Sequence, residues 1–235
     1  MTTLNTQAHW LARGIGSASI TPALLVATVG MALWFADRQS PLWTLGTVWP
    51  VILLSLLAVA AGCAALSWVR PQRAGLSPPH VMLSLGFGGM LLGLLADCLQ
   101  AGAAQLGSLC QQSAALSLRE SFFLHLRYLP GMHIGMLLGG LLAIPSLRML
   151  RAHCGRYLCS LLAQNLMCPG WMLVGMTLGA VWMVRLQIAL GAPSLTGMLG
   201  GMFVGMTWGM VGSVALYRQF FAWRLRASTA RRDSR

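Results

Sequence analysis

Six stretches of nearly unbroken apolar residues divide the chain: 17–36, 47–69, 81–99, 129–147, 158–183 and 195–217. Most of the charges fall in the segments between and after them. Each stretch is near the ~20 residues that cross a ~30 Å hydrocarbon core at a rise of 1.5 Å per residue. None shows the ten-residue alternation of a barrel strand, and lipid cannot satisfy a free peptide group, so the stretches are expected to be helices. The pattern predicts an all-α integral membrane protein, a bundle of six transmembrane helices. Residues 17–217 form the transmembrane domain, preceded by a short segment (1–16) and followed by a basic tail (218–235). The first stretch is read as an uncleaved helix, because Trp34 and Phe35 occupy the place where a cleavage site needs small residues.

The polar positions orient the bundle. With the N-terminus on the cytoplasmic side, the inner segments carry Arg13, Arg70, Arg73, Arg148, Arg151 and Arg156, and the tail adds six more from Arg218 to Arg235. The outer segments carry only Arg38, Arg119, Arg127 and Arg185. This asymmetry predicts both termini inside, in a bacterial inner membrane. Pro22, Pro50 and Pro169 fall within stretches and are expected to kink them. In the long outer segment, SLRESFFLHLRYL places Leu118, Phe122, Leu126 and Leu129 on one face of an expected interfacial helix. The closing ASTARRDSR reads as an irregular tail that touches anionic lipid.

Composition agrees with this solvent: 57% of residues are hydrophobic and 9% charged, against about 25% charged in soluble domains. The net charge of +12 comes wholly from Arg, and its placement beside apolar stretches fits lipid rather than nucleic acid, for which no motif is present. Four acidic residues and no Lys leave few groups for acid–base chemistry, and no HExxH, GxSxG or P-loop appears, so an enzyme is not expected.

Glycine is the strongest motif. Gly197, Gly201, Gly205 and Gly209 form three overlapping GxxxG units, and Gly131, Gly135 and Gly139 form two more. Gly89/Gly93 and Gly175/Gly179 add one each. Small residues four apart let helices approach closely where lipid offers no hydrophobic drive. Stretches three to six are therefore expected to form a tight bundle, with one and two peripheral. GMLLGLLA (89–96) echoes GMLLGGLLA (135–143), and LVGMTLG (173–179) echoes FVGMTWG (203–209). A shared packing vocabulary is preferred to duplication as the cause.

Methionine follows many of these glycines, at Met198, Met202, Met206 and Met210 among others. Residues four apart on a helix are offset by about 40°, so four such thioethers cannot share one site. An adjacent pair can meet ligands from another helix, and thioethers suit Cu(I). Met172/Met176 followed by Gly197/Gly201 is similar to the MxxxM and GxxxG pairing on successive spans of eukaryotic-type copper transporters. The resemblance covers about 30 residues and implies copper handling; this chain departs from it in having six spans rather than three and no Met-rich outer tail.

Asp97 and His133 fall near the outer ends of the third and fourth stretches, and ionisable residues inside a membrane point to function. The expected site is a metal centre of His133, Met132, Met136 and Asp97, joined by Met198 and Met202. The function expected is transport or handling of a soft cation such as copper. Two alternatives stand beside it: a non-catalytic packing or assembly subunit, bound through its glycine faces to a second copy or another membrane protein, and a proton-linked permease using Asp97 and His133. Gln164 and Asn165 are assigned to interhelical hydrogen bonds. A Cys98–Cys110 disulfide and a cytoplasmic Cys154/Cys159 pair are left open.

Overall fold

The computed structural model describes residues 21–37, 48–69, 78–102, 108, 112, 116–150, 158–189 and 195–233. Among them there is no strand, and seven helices carry the chain: α1 (Thr21–Asp37), α2 (Val48–Val69), α3 (Pro78–Ala101), α4 (Leu118–Tyr128), α5 (Pro130–Leu150), α6 (Leu158–Ala189) and α7 (Leu195–Asp233). Four contain a stretch long and apolar enough to cross a membrane: Trp49–Ser67, Pro79–Gln100, Cys168–Ala189 and Leu195–Phe220. Apolar but shorter are α1 and the Pro130–Ala143 part of α5. Large aliphatic side chains point outward, with Leu57, Leu92 and Leu99 between 68% and 80% exposed. Such a surface is tolerable only in lipid, so the chain is a helical membrane protein.

Two antiparallel hairpins, α3 with α5 and α6 with α7, form the centre. A Cβ added at Gly89 would land on the carbonyl of Gly135, and one at Gly93 on the carbonyl of Gly131. In the second hairpin the same holds for Gly175 against Gly205 and for Gly179 against Gly201. The correspondence extends along both seams. A Cβ at Gly139 would meet the Leu85 carbonyl, and one at Gly209 the Trp171 carbonyl. These glycines are required because backbone touches backbone there, which gives the helices the close contact that holds them together in an apolar solvent.

The first sequence echo now has a physical reason. GMLLGLLA and GMLLGGLLA are the two sides of one seam, and both sides of an antiparallel glycine seam need the same spacing. The second echo likewise joins α6 to α7.

The hairpins meet where Phe87 of α3 stacks edge-on against Phe203 of α7, with ring centroids 4.8 Å apart. Beside them, the Met172 and Met206 methyls face Gly86. On the other side of α7 lies α2, less peripheral than expected. Its Ser55 faces Gly200, its Gly62 faces Thr207, and its Ala58 carbonyl accepts from Trp208 Nε1 at 3.1 Å. From α1, Leu25, Val29 and Leu33 join the same core.

Proline behaves as position dictates. Pro50 falls in the first turn of α2, where the missing amide hydrogen leaves no bond unmade, while Pro145 and Pro169 lie inside α5 and α6. The tail departs from expectation: α7 runs unbroken from Leu195 to Asp233 instead of ending near 217. Beyond Gly212 the sequence contains neither Gly nor Pro and is rich in Ala, Leu and Arg, all good helix formers. At 1.5 Å per residue α7 is about 58 Å long, twice a hydrocarbon core, so its basic end projects past the membrane.

Candidate functional site

Asp97 is 5% exposed, near the end of α3, and its carboxylate closes the start of α5. Oδ1 accepts from the Gly131 amide at 2.9 Å and Oδ2 from the Met132 amide at 2.8 Å. A helix start carries unpaired N–H groups and a partial positive charge, and a carboxylate from another helix satisfies both. Gly131 is needed for this approach, since a Cβ there would lie 2.6 Å from Oδ1. Asp97, expected among the metal ligands, is thus seen as a cap between helices. In the second hairpin the Gln187 amide of α6 lies over Gly197 in the first turn of α7.

Next to this cap runs a ladder of buried residues four apart: Ser121, His125, Leu129 and His133. It begins in α4, which opens with a capping box in which Ser117 Oγ accepts from the Glu120 amide and Glu120 Oε2 accepts from the Ser117 amide at 2.9 Å. These bonds hold the fully exposed Glu120 carboxyl below its usual range. Leu129 (φ −127°, ψ 49°) is the only non-helical residue between α4 and α5; its amide still donates to the His125 carbonyl at 2.8 Å. Pro130 then starts α5. The two histidines, eight residues apart, therefore stay on one face across the break. The buried face of α4 is consequently Ser121 and His125, while Leu126 is 41% exposed.

Both rings are fixed the same way. His125 Nδ1 lies 2.7 Å from the Ser121 carbonyl oxygen, and His133 Nδ1 lies 2.7 Å from the Leu129 carbonyl oxygen. A carbonyl only accepts, so in each neutral ring Nδ1 carries the hydrogen and Nε2 keeps its lone pair. Neither Nε2 has a hydrogen-bond partner among the described residues, and both atoms are buried. Burial pushes the His125 imidazole below its ordinary value, and a charge on His133 pushes it further, so the rings are neighbours electrically. Each buried imidazole is tied to a backbone carbonyl through one nitrogen and presents the other bare among the described residues, which is how a single metal-binding histidine is commonly held.

The expected thioethers are all inside. Met132, Met136, Met198 and Met202 are no more than 1% exposed, so they face the bundle and not lipid. The two thioether side chains seen to converge are nevertheless others, Met172 and Met206, whose methyls lie 2.6 and 3.6 Å from a Cβ built on Gly86. Among the described residues no three His, Cys, Asp or Glu side chains gather as a metal site, so any site here depends on the histidine pair and on sulfur. Sequence reasoning missed His125 because it lies outside the apolar stretches; its i, i+4, i+8 relation to Leu129 and His133 was the available signal.

Other chemistry-bearing residues are occupied elsewhere. His80 sits at the opposite end of α3, its ring nitrogen 3.2 Å from the Cys63 carbonyl oxygen of α2. Cys168 Sγ lies 3.2 Å from Ser213 Oγ. Cys98 is a half-buried free thiol. Cys110 and Cys154 lie outside the described residues, as do the side chains of Cys159, Gln164 and Asn165. An apolar groove of about 560 Å³ follows the α6–α7 seam between Trp171, Trp182 and Trp208. The only charged side chain lining it is Arg185, which donates to the Leu116 carbonyl at 2.8 Å and ties the segment before α4 to α6.

Fold and site together define a helical membrane protein with a buried histidine pair at one end of a glycine-sealed bundle. The chain matches no protein-family model, no curated protein and no solved structure.

Proposed function

We propose that this protein is a six-span membrane protein, with both termini cytoplasmic in a bacterial inner membrane, that takes up a soft cation, Cu(I), at its outer end and handles it within the bundle. The observation that carries the reading is the pair of bare, buried Nε2 atoms on His125 and His133. An unsatisfied buried nitrogen lone pair costs stability, and each of these two is accounted for by a soft cation that it ligates. Imidazole and thioether together favour copper over harder ions, and Met132 and Met136 flank His133 in the sequence of the same helix. Asp97, two hydrogen bonds away from that turn, supplies negative charge while it caps α5. The basic end of α7 lies against anionic lipid on the cytoplasmic face.

The glycine seams are closed within the chain, so they give no support to the alternative of an assembly subunit docked through glycine faces. The deciding experiment is anaerobic Cu(I) titration of the purified protein in detergent, against a chromogenic competitor. Nitrogen-bound copper in the wild type, lost in both His125→Ala and His133→Ala, is expected. A wild type that leaves all copper with the competitor removes the proposal.

A further inference from the structure

The groove along the α6–α7 seam has no part in the histidine site, and its shape follows from the glycines beneath it. Gly175 and Gly179 bring the α6 backbone onto that of α7, so no side chain fills the line of contact. Bulky neighbours stand on either side, Trp171 and Trp182 from α6 and Trp208 from α7. The Trp208 ring is held toward α2 by the bond from its Nε1 to the Ala58 carbonyl. The result is an apolar groove of about 560 Å³, within the ~300–1,000 Å³ range of ligand sites. Its lining on α6 runs from Trp171 to Arg185. At 1.5 Å per residue that is ~21 Å, enough for the ~15 Å depth of one leaflet in a ~30 Å core.

Arg185 lies four residues before the end of the apolar span Cys168–Ala189, so its long side chain reaches the headgroup level. It is exposed and makes no ion pair among the described residues. Its Nη2 donates to the Leu116 carbonyl, which aims the guanidinium and leaves other N–H groups of the fork open. One residue further on, Ser117 lines a second, polar cleft of about 630 Å³, together with Arg119, Arg127 and Tyr128. The one carboxylate there, Glu120, is tied through Oε2 to Ser117. Of the four arginines that the proposed orientation leaves on the outer side, three thus stand at the surface end of the groove or in the cleft beside it. Positive charge above an apolar groove of acyl-chain length suits an amphiphile with an anionic head. A second copy of the chain fits less well, since a twofold contact through this face brings like arginines to the same membrane level.

We propose that the α6–α7 groove holds one chain of an anionic phospholipid, whose phosphate is bound by Arg185 with Arg119 and Arg127 beside it. A guanidinium grips phosphate oxygens through parallel N–H groups, a geometry that a neutral side chain cannot reproduce. In the proposed orientation the lipid belongs to the outer leaflet. The site is independent of the copper reading and stands or falls without it.

The test is native mass spectrometry of the full-length protein in detergent. Long-chain phosphatidylglycerol, its dihexanoyl form and long-chain phosphatidylcholine are supplied in separate runs. One long-chain phosphatidylglycerol is expected to survive conditions that strip the other two lipids. Arg185→Gln should weaken its retention by roughly tenfold or more, the worth of a charge-assisted hydrogen bond. Arg119→Gln/Arg127→Gln, on an exposed helix face, should weaken it as well without lowering the unfolding temperature. Gly212 lines the groove, and a Cβ there meets nothing within 4 Å, so Gly212→Phe fills the trough while leaving the seam intact. This variant should lose the long-chain lipid. Phosphatidylcholine held as firmly as phosphatidylglycerol overturns the site and leaves ordinary boundary lipid. Equal retention of the two chain lengths overturns it too, because the groove then contributes nothing. Retention unchanged in Arg185→Gln or in Gly212→Phe, or a protein dimer that Gly212→Phe dissolves, has the same consequence.

Discussion

Asp97 and Gly131 sit on different helices, yet the carboxylate of one holds the backbone amide of the other at 2.9 Å, while its second oxygen holds the next amide. This places a two-pronged polar contact of the first hairpin at the α5 helix start, within one turn of His133. Asp97→Asn keeps one acceptor and turns an NH₂ group toward an amide donor. We expect a loss of roughly 1–3 kcal/mol of stability, the range for an unsatisfied buried donor. Chemical denaturation in detergent, followed by tryptophan fluorescence, measures it. Unchanged stability in Asp97→Asn would show that the cap contributes nothing net.

How much of this could be read in advance depended on whether a feature has a local signature. GxxxG does, because the spacing that brings glycine to one face is also the spacing that permits close approach, and so the seams at Gly131–Gly139 and Gly197–Gly209 were legible. A cap delivered from Asp97 to residues 34 and 35 positions away has none. His125 was hidden by Pro130, which normally marks the end of one helix and a change of direction. Here a single non-helical residue, Leu129, keeps the two helices in step. The convergence of Met172 and Met206 on Gly86 depends on how two hairpins pack, which no one-helix pattern contains. The Arg-rich tail looked irregular because it is polar, although Arg and Ala favour helix regardless of polarity.

Gly88 and Gly89 provide a paired test of the seam. A Cβ at Gly88 meets nothing within 4 Å, whereas one at Gly89 would lie on the Gly135 carbonyl. Gly88→Ala is expected to leave stability unchanged or raise it by up to about 1 kcal/mol, from helix propensity alone. Gly89→Ala should lower it by roughly 1–3 kcal/mol, the usual cost of overpacking, because backbone must move. Equal unfolding midpoints for the two variants would mean that the hairpin is not held by close contact.

The capping box at Ser117 fixes the start of α4 and so the position of His125 two turns later. Ser117→Ala removes the side-chain acceptor for the Glu120 amide and one of the two donors that hold the Glu120 carboxylate, leaving the backbone amide of residue 117. Faster amide exchange is expected through the first turn of α4, with weakened Cu(I) retention at the outer site and no change along the α6–α7 seam. Exchange that accelerates equally in every helix would instead indicate general destabilisation.

His125 also gives the fold a pH dependence of defined sign. Its buried ring, with His133 as the titratable neighbour acting on it, has a folded value below the ~6.5 of an unfolded histidine. As pH falls, the unfolded chain therefore takes up the proton first. The stability contributed by the neutral buried ring is whole above about pH 6.5 and is lost progressively below it, down to the lowered folded value. The unfolding temperature of the metal-free protein should drop as the pH is taken from about 7.5 to about 5.5. His125→Leu should flatten that slope, because the buried position then has nothing to protonate. Cu(I) and the proton compete for the same Nε2, so copper-loaded protein should hold its unfolding temperature to lower pH than the metal-free form. A slope unaltered by both copper and His125→Leu would place the titrating group elsewhere and take from the histidine pair its claim on the ion.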